Sequence, residues 1–207
     1  MQIIIGGASR SGKSIVARQI AREFGIPSYS LDYLIAALIG ERPDLAINRN
    51  FRLGDLGQPF IGNAQTIWPA LRNMVKIIDL HAQPYLIEGD TILPRHFHEL
   101  ASRYDVIGFF MGYPDIDPDE KVSQLRRHTS DQLNWPQFHT DEELHHIVLD
   151  RIRYSKYLRR EAKRHGIIFI DSSHDFSAGV DQALQLVRDQ LTKGARIEEE
   201  DHPRYRP

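Results

Sequence analysis

The sequence predicts an α/β protein in which a parallel sheet carries helices on both faces. Short, almost continuously apolar runs such as Gln2–Ile5, "PYLIEG" and "GIIFID" fit strands buried on both sides. They alternate with longer segments whose apolar residues recur at helical spacing, and that alternation implies parallel pairing through right-handed crossovers. The chain has 207 residues and no cysteine. A packed core, rather than disulfides, must therefore hold it, and the length suits one domain.

The elements follow in order. After the first strand, Ile15, Val16, Gln19, Ile20 and Phe24 repeat at helical spacing until Gly25 and Pro27 stop them. A short strand over Ser28–Leu31 leads to a helix that starts at or near Asp32 and ends at Gly40 and Pro43. The polar stretch over 47–65 has no clear period, and "TIWPALRNMVKIIDLHAQ" then places Leu71, Val75, Ile78 and His81 on one helical face. Residues from about 40 to 83 read as an insertion between strands. "PYLIEG" is a strand ending in Glu88, "YDVIGFFMG" is another, and "GIIFID" ends in Asp171. Two charged helices, Asp119–His128 and Asp141–His165, flank "TSDQLNWPQFH". Phe176, Val180, Leu184, Val187 and Leu191 mark a last helix, and Gly194 is expected to release a mobile tail over 194–207. The domain is thus expected to span 1–193.

The first βα connection carries the sharpest motif. Gly7–Ser14 reads G-A-S-R-S-G-K-S and meets every fixed position of G-x-x-x-x-G-K-[ST]. Successive backbone N–H groups at a helix N-terminus point at a polyphosphate, and the helix dipole favours the negative charge. Lys13 would reach the outer phosphates, and the Ser14 hydroxyl would ligate Mg²⁺. The expected nucleotide contacts are Gly7, Ala8, Ser9, Arg10, Ser11, Gly12, Lys13, Ser14 and Ile15, with ATP and Mg²⁺ as the bound groups. The fold class is accordingly the three-layer P-loop NTPase sandwich, with a substrate-binding insertion and a lid.

Charge narrows the partners. Lys plus Arg is 26 and Asp plus Glu is 28, a balance that creates no field to gather nucleic acid. No run approaches transmembrane length, and the N-terminus has no basic region or cleavage signal. The expectation is a cytoplasmic protein acting on a small molecule, without nucleic acid or membrane partners.

The order of motifs separates the P-loop classes. No N-K-x-D occurs to read guanine, and "VIGFFMG" lacks the Asp-Glu pair of a motor ATPase. "IPSYSLD", "YLIEGD", "LRRH" and "LDRIRYSKYLRREAKRHGIIFID", in that order, resemble the adenylate-kinase-like family of small P-loop kinases. The opening and "IEGDTILPRHF" look most similar to its 2-phosphoglycerate-kinase-like and zeta-toxin-like branches. The resemblance implies an acceptor-binding insertion whose polar part covers about 40–63, and a lid over about 129–140 hinged at 112–117. It also implies ATP-dependent transfer of the γ-phosphate. Two departures bear on the acceptor: "PQFHTDE" has no lid arginine before its acidic pair, and "SLDY" presents Asp32 where adenylate kinases carry threonine and glycine. Both favour a hydroxyl-bearing metabolite over a nucleoside monophosphate. The other readings are a nucleoside monophosphate kinase, a nucleic-acid end kinase, and a nucleotide-binding regulatory protein or weak ATPase that phosphorylates nothing.

Residue roles follow. Asp32 would hold the acceptor hydroxyl and take its proton, or else cap its helix. Glu88 would orient a water on the metal or bind the acceptor. Arg126 and Arg127 would approach ATP, and Arg151 and Arg153 resemble the arginines after the lid that neutralise the transferring phosphoryl group, a task suited to a planar guanidinium. Arg95 would bind an anionic group on the acceptor. Ten histidines raise a metal hypothesis at His96 and His98, or at His145 and His146, but no recognised ligand spacing supports it. Trp68 and Trp135 are expected to pack rather than stack on a base. "DSSHD" resembles the adenine-contacting loop, with Asp175 as a candidate helix cap.

Overall fold

The computed structural model describes residues 1–45, 47, 58–81, 83–127 and 135–201. Its strands are β1 (Gln2–Gly7), β2 (Ser28–Ser30), β3 (Tyr85–Gly89), β4 (Val106–Gly112) and β5 (Phe169–Asp171). They form one sheet in the order β2-β3-β1-β4-β5, with every pair parallel. The helices are α1 (Lys13–Phe24), α2 (Leu31–Glu41), α3 (Gln58–Leu80), α4 (Pro94–Ala101), α5 (Pro118–Arg127), α6 (Asp141–Arg164) and α7 (Phe176–Asp201).

The two-residue period of the strands divides the core. Ile3, Ile5, Leu86, Phe109 and Met111 pack with Val16, Ala17 and Ile20 of α1 and with Val180, Ala183, Leu184 and Val187 of α7. Ile4, Ile87 and Phe110 face the other way, onto the apolar stripes of α3, α4 and α6. Both faces of the sheet are therefore covered, which is why its strands read as unbroken apolar runs. Register aligns the carboxyl ends: Ile5 lies opposite Glu88 and Phe109, and Ser30 opposite Glu88. The chain leaves the sheet at one edge after β1, β2 and β3, where ligands of open parallel sheets bind.

Several boundaries differ from the sequence expectation. Leu31 begins α2 rather than ending β2, and α2 passes through Gly40 to Glu41 before Pro43 ends it. α3 starts at Gln58 and carries Pro69 inside it, so part of the expected polar insertion is helical. α4 was not foreseen; its eight residues open with Pro94, whose fixed φ suits a first helical turn. α7 continues past Gly194 to Asp201, because a single glycine weakens a helix without obliging it to stop. Residues 46, 48–57 and 82 of the expected insertion, 128 at the end of an expected helix, 129–134 of the expected lid and 202–207 of the expected tail lie outside the described residues. Among the described residues no helix is long and apolar enough to cross a membrane.

α3 and α4 meet through Trp68 and His96, whose rings stack 4.4 Å apart and within 7° of parallel. His96 is buried. That burial, with Arg95 beside it, lowers its pKa from the ordinary 6.5 to about 4. The folded state thus holds the neutral ring, so this contribution is present above pH 6.5 and is lost as pH falls toward 4. Acid should therefore cost the protein on the order of 2–3 kcal/mol through this ring. His96→Phe, which keeps the stack but cannot titrate, should lose less stability between pH 7 and 4.5 in urea unfolding; equal losses would refute the assignment.

Candidate active site

The loop after β1 is built for close approach. Gly7 and Gly12 have φ of 146° and 105°, and Arg10 takes the left-handed conformation at 63°. A Cβ on Gly7 would run into the Met111 carbonyl, and one on Gly12 would lie 2.9 Å from Val180 Cγ2. Gly12 caps α1, whose first turn begins at Lys13. In that turn the Ile15 N–H donates to the Gly12 carbonyl at 3.0 Å, which leaves the N–H groups of Lys13 and Ser14 at the helix start to meet an anion.

Side chains lock the loop. Lys13 Nζ donates to the Ala8 carbonyl at 2.8 Å, Tyr113 Oη to the Ser9 carbonyl at 2.8 Å, and Lys121 Nζ to the Arg10 carbonyl at 3.2 Å. Three consecutive carbonyls are thereby held, which fixes the planar peptides between them. Burial lowers the Arg10 guanidinium below its ordinary pKa, against a small opposing effect from Tyr113, and raises the Tyr113 phenol well above its own.

β3 brings the carboxylates. Ser14 Oγ donates to Glu88 Oε1 at 3.1 Å, and Glu88 is buried at the end of its strand. Asp90 follows one residue beyond the strand, and the Tyr154 hydroxyl donates to its peptide carbonyl at 2.6 Å. Burial raises the Asp90 carboxyl above its ordinary range; Lys13 and Arg151 oppose this, while Glu88 reinforces it. Asp32 lies in the first turn of α2, where the dipole favours an acid. The cap itself is Ser30, whose side chain accepts from the Asp32 N–H at 3.4 Å, so Asp32 is not the capping residue. Asp32, Glu88 and Asp90 line the same cleft as Lys13, Ser14 and Lys121, with a volume of about 900 Å³.

The arginines divide. Arg151, on α6, is buried with its guanidinium 4.1 Å above the Phe60 ring. Desolvation lowers its pKa, while Tyr113 and Asp90 pull the other way. Arg153 is two residues further along α6 and thus on a different face; it is exposed and pairs with Asp150 at 3.6 Å. Arg126 Nε donates to Asp141 Oδ1 at 2.8 Å, and its two terminal nitrogens donate to the carbonyls of Pro136 and His139. Arg126 therefore ties the C-terminal part of the expected lid, and Asp141 just after it, to α5. Arg95 is an exposed side chain on α4. Of the sequence-selected arginines, Arg10 and Arg127 line the cleft and Arg95, Arg126, Arg151 and Arg153 do not. Asp175 caps α7, accepting from the Ala178 N–H at 2.9 Å. Among the described residues no cluster of three or more His, Asp and Glu forms a metal site.

Sequence reasoning missed Asp90 and Lys121. Asp90 adjoins Glu88 in "IEGD" and was open to the same strand-end argument. Lys121 gave no signal, since a lysine on a charged helix reads as solvated.

No family model matches the chain, and no curated protein matches its sequence. Solved structures do. Shikimate kinase from Bacteroides thetaiotaomicron aligns at a TM-score of 0.53 and 14% identity, over 93% of this chain and 98% of that one. A gluconokinase from Sinorhizobium meliloti 1021 aligns at 0.53 and 14%, over 97% of each chain. Shikimate kinase from Acinetobacter baumannii, in complex with shikimate, aligns at 0.54 and 16%, over 93% of each chain. The chain has the three-layer α/β P-loop fold of these small-molecule kinases.

Proposed function

We propose that the protein is an ATP- and Mg²⁺-dependent kinase that phosphorylates a hydroxyl group on a small metabolite. The observation carrying this reading is the single cleft in which the phosphate loop and Asp32 face one space. Its volume falls within the range of small-molecule sites. The donor set suits Mg²⁺: Ser14 Oγ and the Glu88 carboxylate are hard oxygens in contact, and this ion takes one or two protein oxygens with phosphate and water completing its shell. When bound, the ion would neutralise charge on the phosphates. Lys13 and the α1 N-terminus orient the polyphosphate, and Arg151, buried behind the cleft, sets a delocalised charge that acts on Asp90. Asp32 binds the acceptor hydroxyl and accepts its proton as the phosphoryl group transfers. Arg126 anchors the described end of the expected lid through the carbonyls of Pro136 and His139. The likeness of "IEGDTILPRHF" to the 2-phosphoglycerate-kinase-like and zeta-toxin-like branches supports an acceptor that is already anionic.

The test is ADP release with a panel of hydroxy acids, sugars, sugar phosphates, nucleosides and nucleoside monophosphates. One class should stimulate release and yield a phosphorylated product in equal amount. Asp32→Asn should lower that rate by about 10²–10⁴ while ADP still binds as in the unaltered protein. Hydrolysis that no acceptor moves would replace this reading with that of a nucleotide-binding regulatory protein.

A further inference from the structure

A buried lysine at the phosphate loop has no place in the roles assigned above. Lys121 sits in the first turn of α5 and is 2% exposed. Its ammonium is held by neutral groups: the Arg10 carbonyl at 3.2 Å, the face of Tyr113 at 4.2 Å from the ring centroid, and the Phe176 ring at 5.5 Å. Among the described residues no carboxylate lies within ion-pair distance of it. A buried charge is normally paired, because desolvation of an isolated ammonium is expensive. Here carbonyl and aromatic contacts compensate only in part. Lys121 nevertheless lines the same cleft as Lys13.

We propose that Lys121 is a second lysine of the phosphate site, a positioning residue that fixes the loop at Arg10 and supplies positive charge to the nucleotide polyphosphate. The placement explains three features together. Arg10 is a non-glycine residue at positive φ, a conformation that persists where surroundings impose it. Lys121 imposes it by gripping the carbonyl of that residue, while Tyr113 grips the one before. The Tyr113 ring, pinned at its hydroxyl, presents its electron-rich face to the ammonium. The anion that would complete the balance belongs in the cradle.

Titration gives an independent readout. Burial lowers the Lys121 pKa to about 8, with Arg10 acting in the same direction and Glu120 against it. Of the surrounding elements, the loop contributes the cation Arg10, the residue after β4 contributes Tyr113, held neutral by burial, α5 itself contributes Glu120, and α7 contributes the uncharged Phe176. A bound polyanion favours the protonated form. ADP affinity should therefore be full below pH 8 and fall as pH rises beyond it.

The assignment rests on the nucleotide-binding reading, and one experiment separates them. ADP binding by calorimetry from pH 7.5 to 9.5 should weaken about tenfold for the unaltered protein. Lys121→Met should bind about tenfold more weakly at pH 7.5, without that slope, and Lys121→Arg should bind well at both ends. Melting without nucleotide verifies that each variant is folded. A folded Lys121→Met with unaltered affinity and slope overturns the proposal, and a flat profile for the unaltered protein overturns it even where no variant folds. A chain that binds no ADP at any pH overturns the nucleotide reading, and the Lys121 assignment falls with it.

Discussion

In Lys13→Ala, acceptor-dependent ADP release should fall on the order of 10³-fold. The loss of one preorganised donor at a charge-developing site costs about 10²–10³, and this lysine is also the cation nearest the start of α1. Two effects separate in the variant. The structural effect is small, since the Ala8 carbonyl loses its donor, which costs about 1–3 kcal/mol for a buried acceptor. The electrostatic effect is large, because Lys13 also opposes the rise of the Asp90 pKa. Steady-state kinetics with ADP calorimetry measure both. A variant that turns over and binds as the unaltered protein does would remove the phosphate role of the loop.

Arg151→Met should be comparably damaging to turnover, with a pH signature of its own. The guanidinium carbon lies over the Phe60 ring, within the fields of Asp90 and Tyr113. Arginine contributions to phosphoryl transfer reach about 10³–10⁵, so kcat/KM should fall by about 10³. Arg151 lowers the Asp90 pKa, whereas burial raises it. Removing the cation leaves burial less opposed, so Asp90 titrates at still higher pH. If its carboxylate form serves the reaction, the acid limb of the pH–rate profile moves upward. Lysine is not an equivalent replacement, because an ammonium cannot stack flat on a ring, and Arg151→Lys should remain at least about tenfold impaired. An unshifted acid limb together with full activity would place Arg151 among purely structural residues.

Legibility in the sequence followed the range of the physics. The phosphate loop, the buried strands and the Asp175 cap depend on neighbours a few residues apart, and their spacing revealed them. α4 was hidden because eight residues span barely two turns and show too little periodicity. Asp32 was placed at the right edge of the sheet, yet its helix is capped by Ser30, a distinction between adjacent favourable residues that spacing cannot make. The roles of Arg126 and Arg151 required tertiary knowledge. Two arginines on charged helices look alike in sequence, but one is spent on the carbonyls of Pro136 and His139 and the other is buried against Phe60, which lies in a stretch expected to be polar insertion. Lys121 was concealed for the same reason, since its partners lie 111 residues away at Arg10 and beyond α5 at Phe176.

The central position of β1 shapes how the chain comes to fold during synthesis. β1 is made first, but its neighbours are β3 and β4, which begin at Tyr85 and Val106. At about 5–20 residues per second, Ile3, Ile4 and Ile5 await their sheet partners for about 5–20 s. α1 waits longer still, because Val16, Ala17 and Ile20 are covered by α7, which starts at Phe176. Pairings this distant in sequence form slowly and leave apolar surface open to wrong partners. The half of the core beneath the phosphate loop therefore closes only when α7 docks, and the anion cradle above it should take its working shape only once α7 has been made.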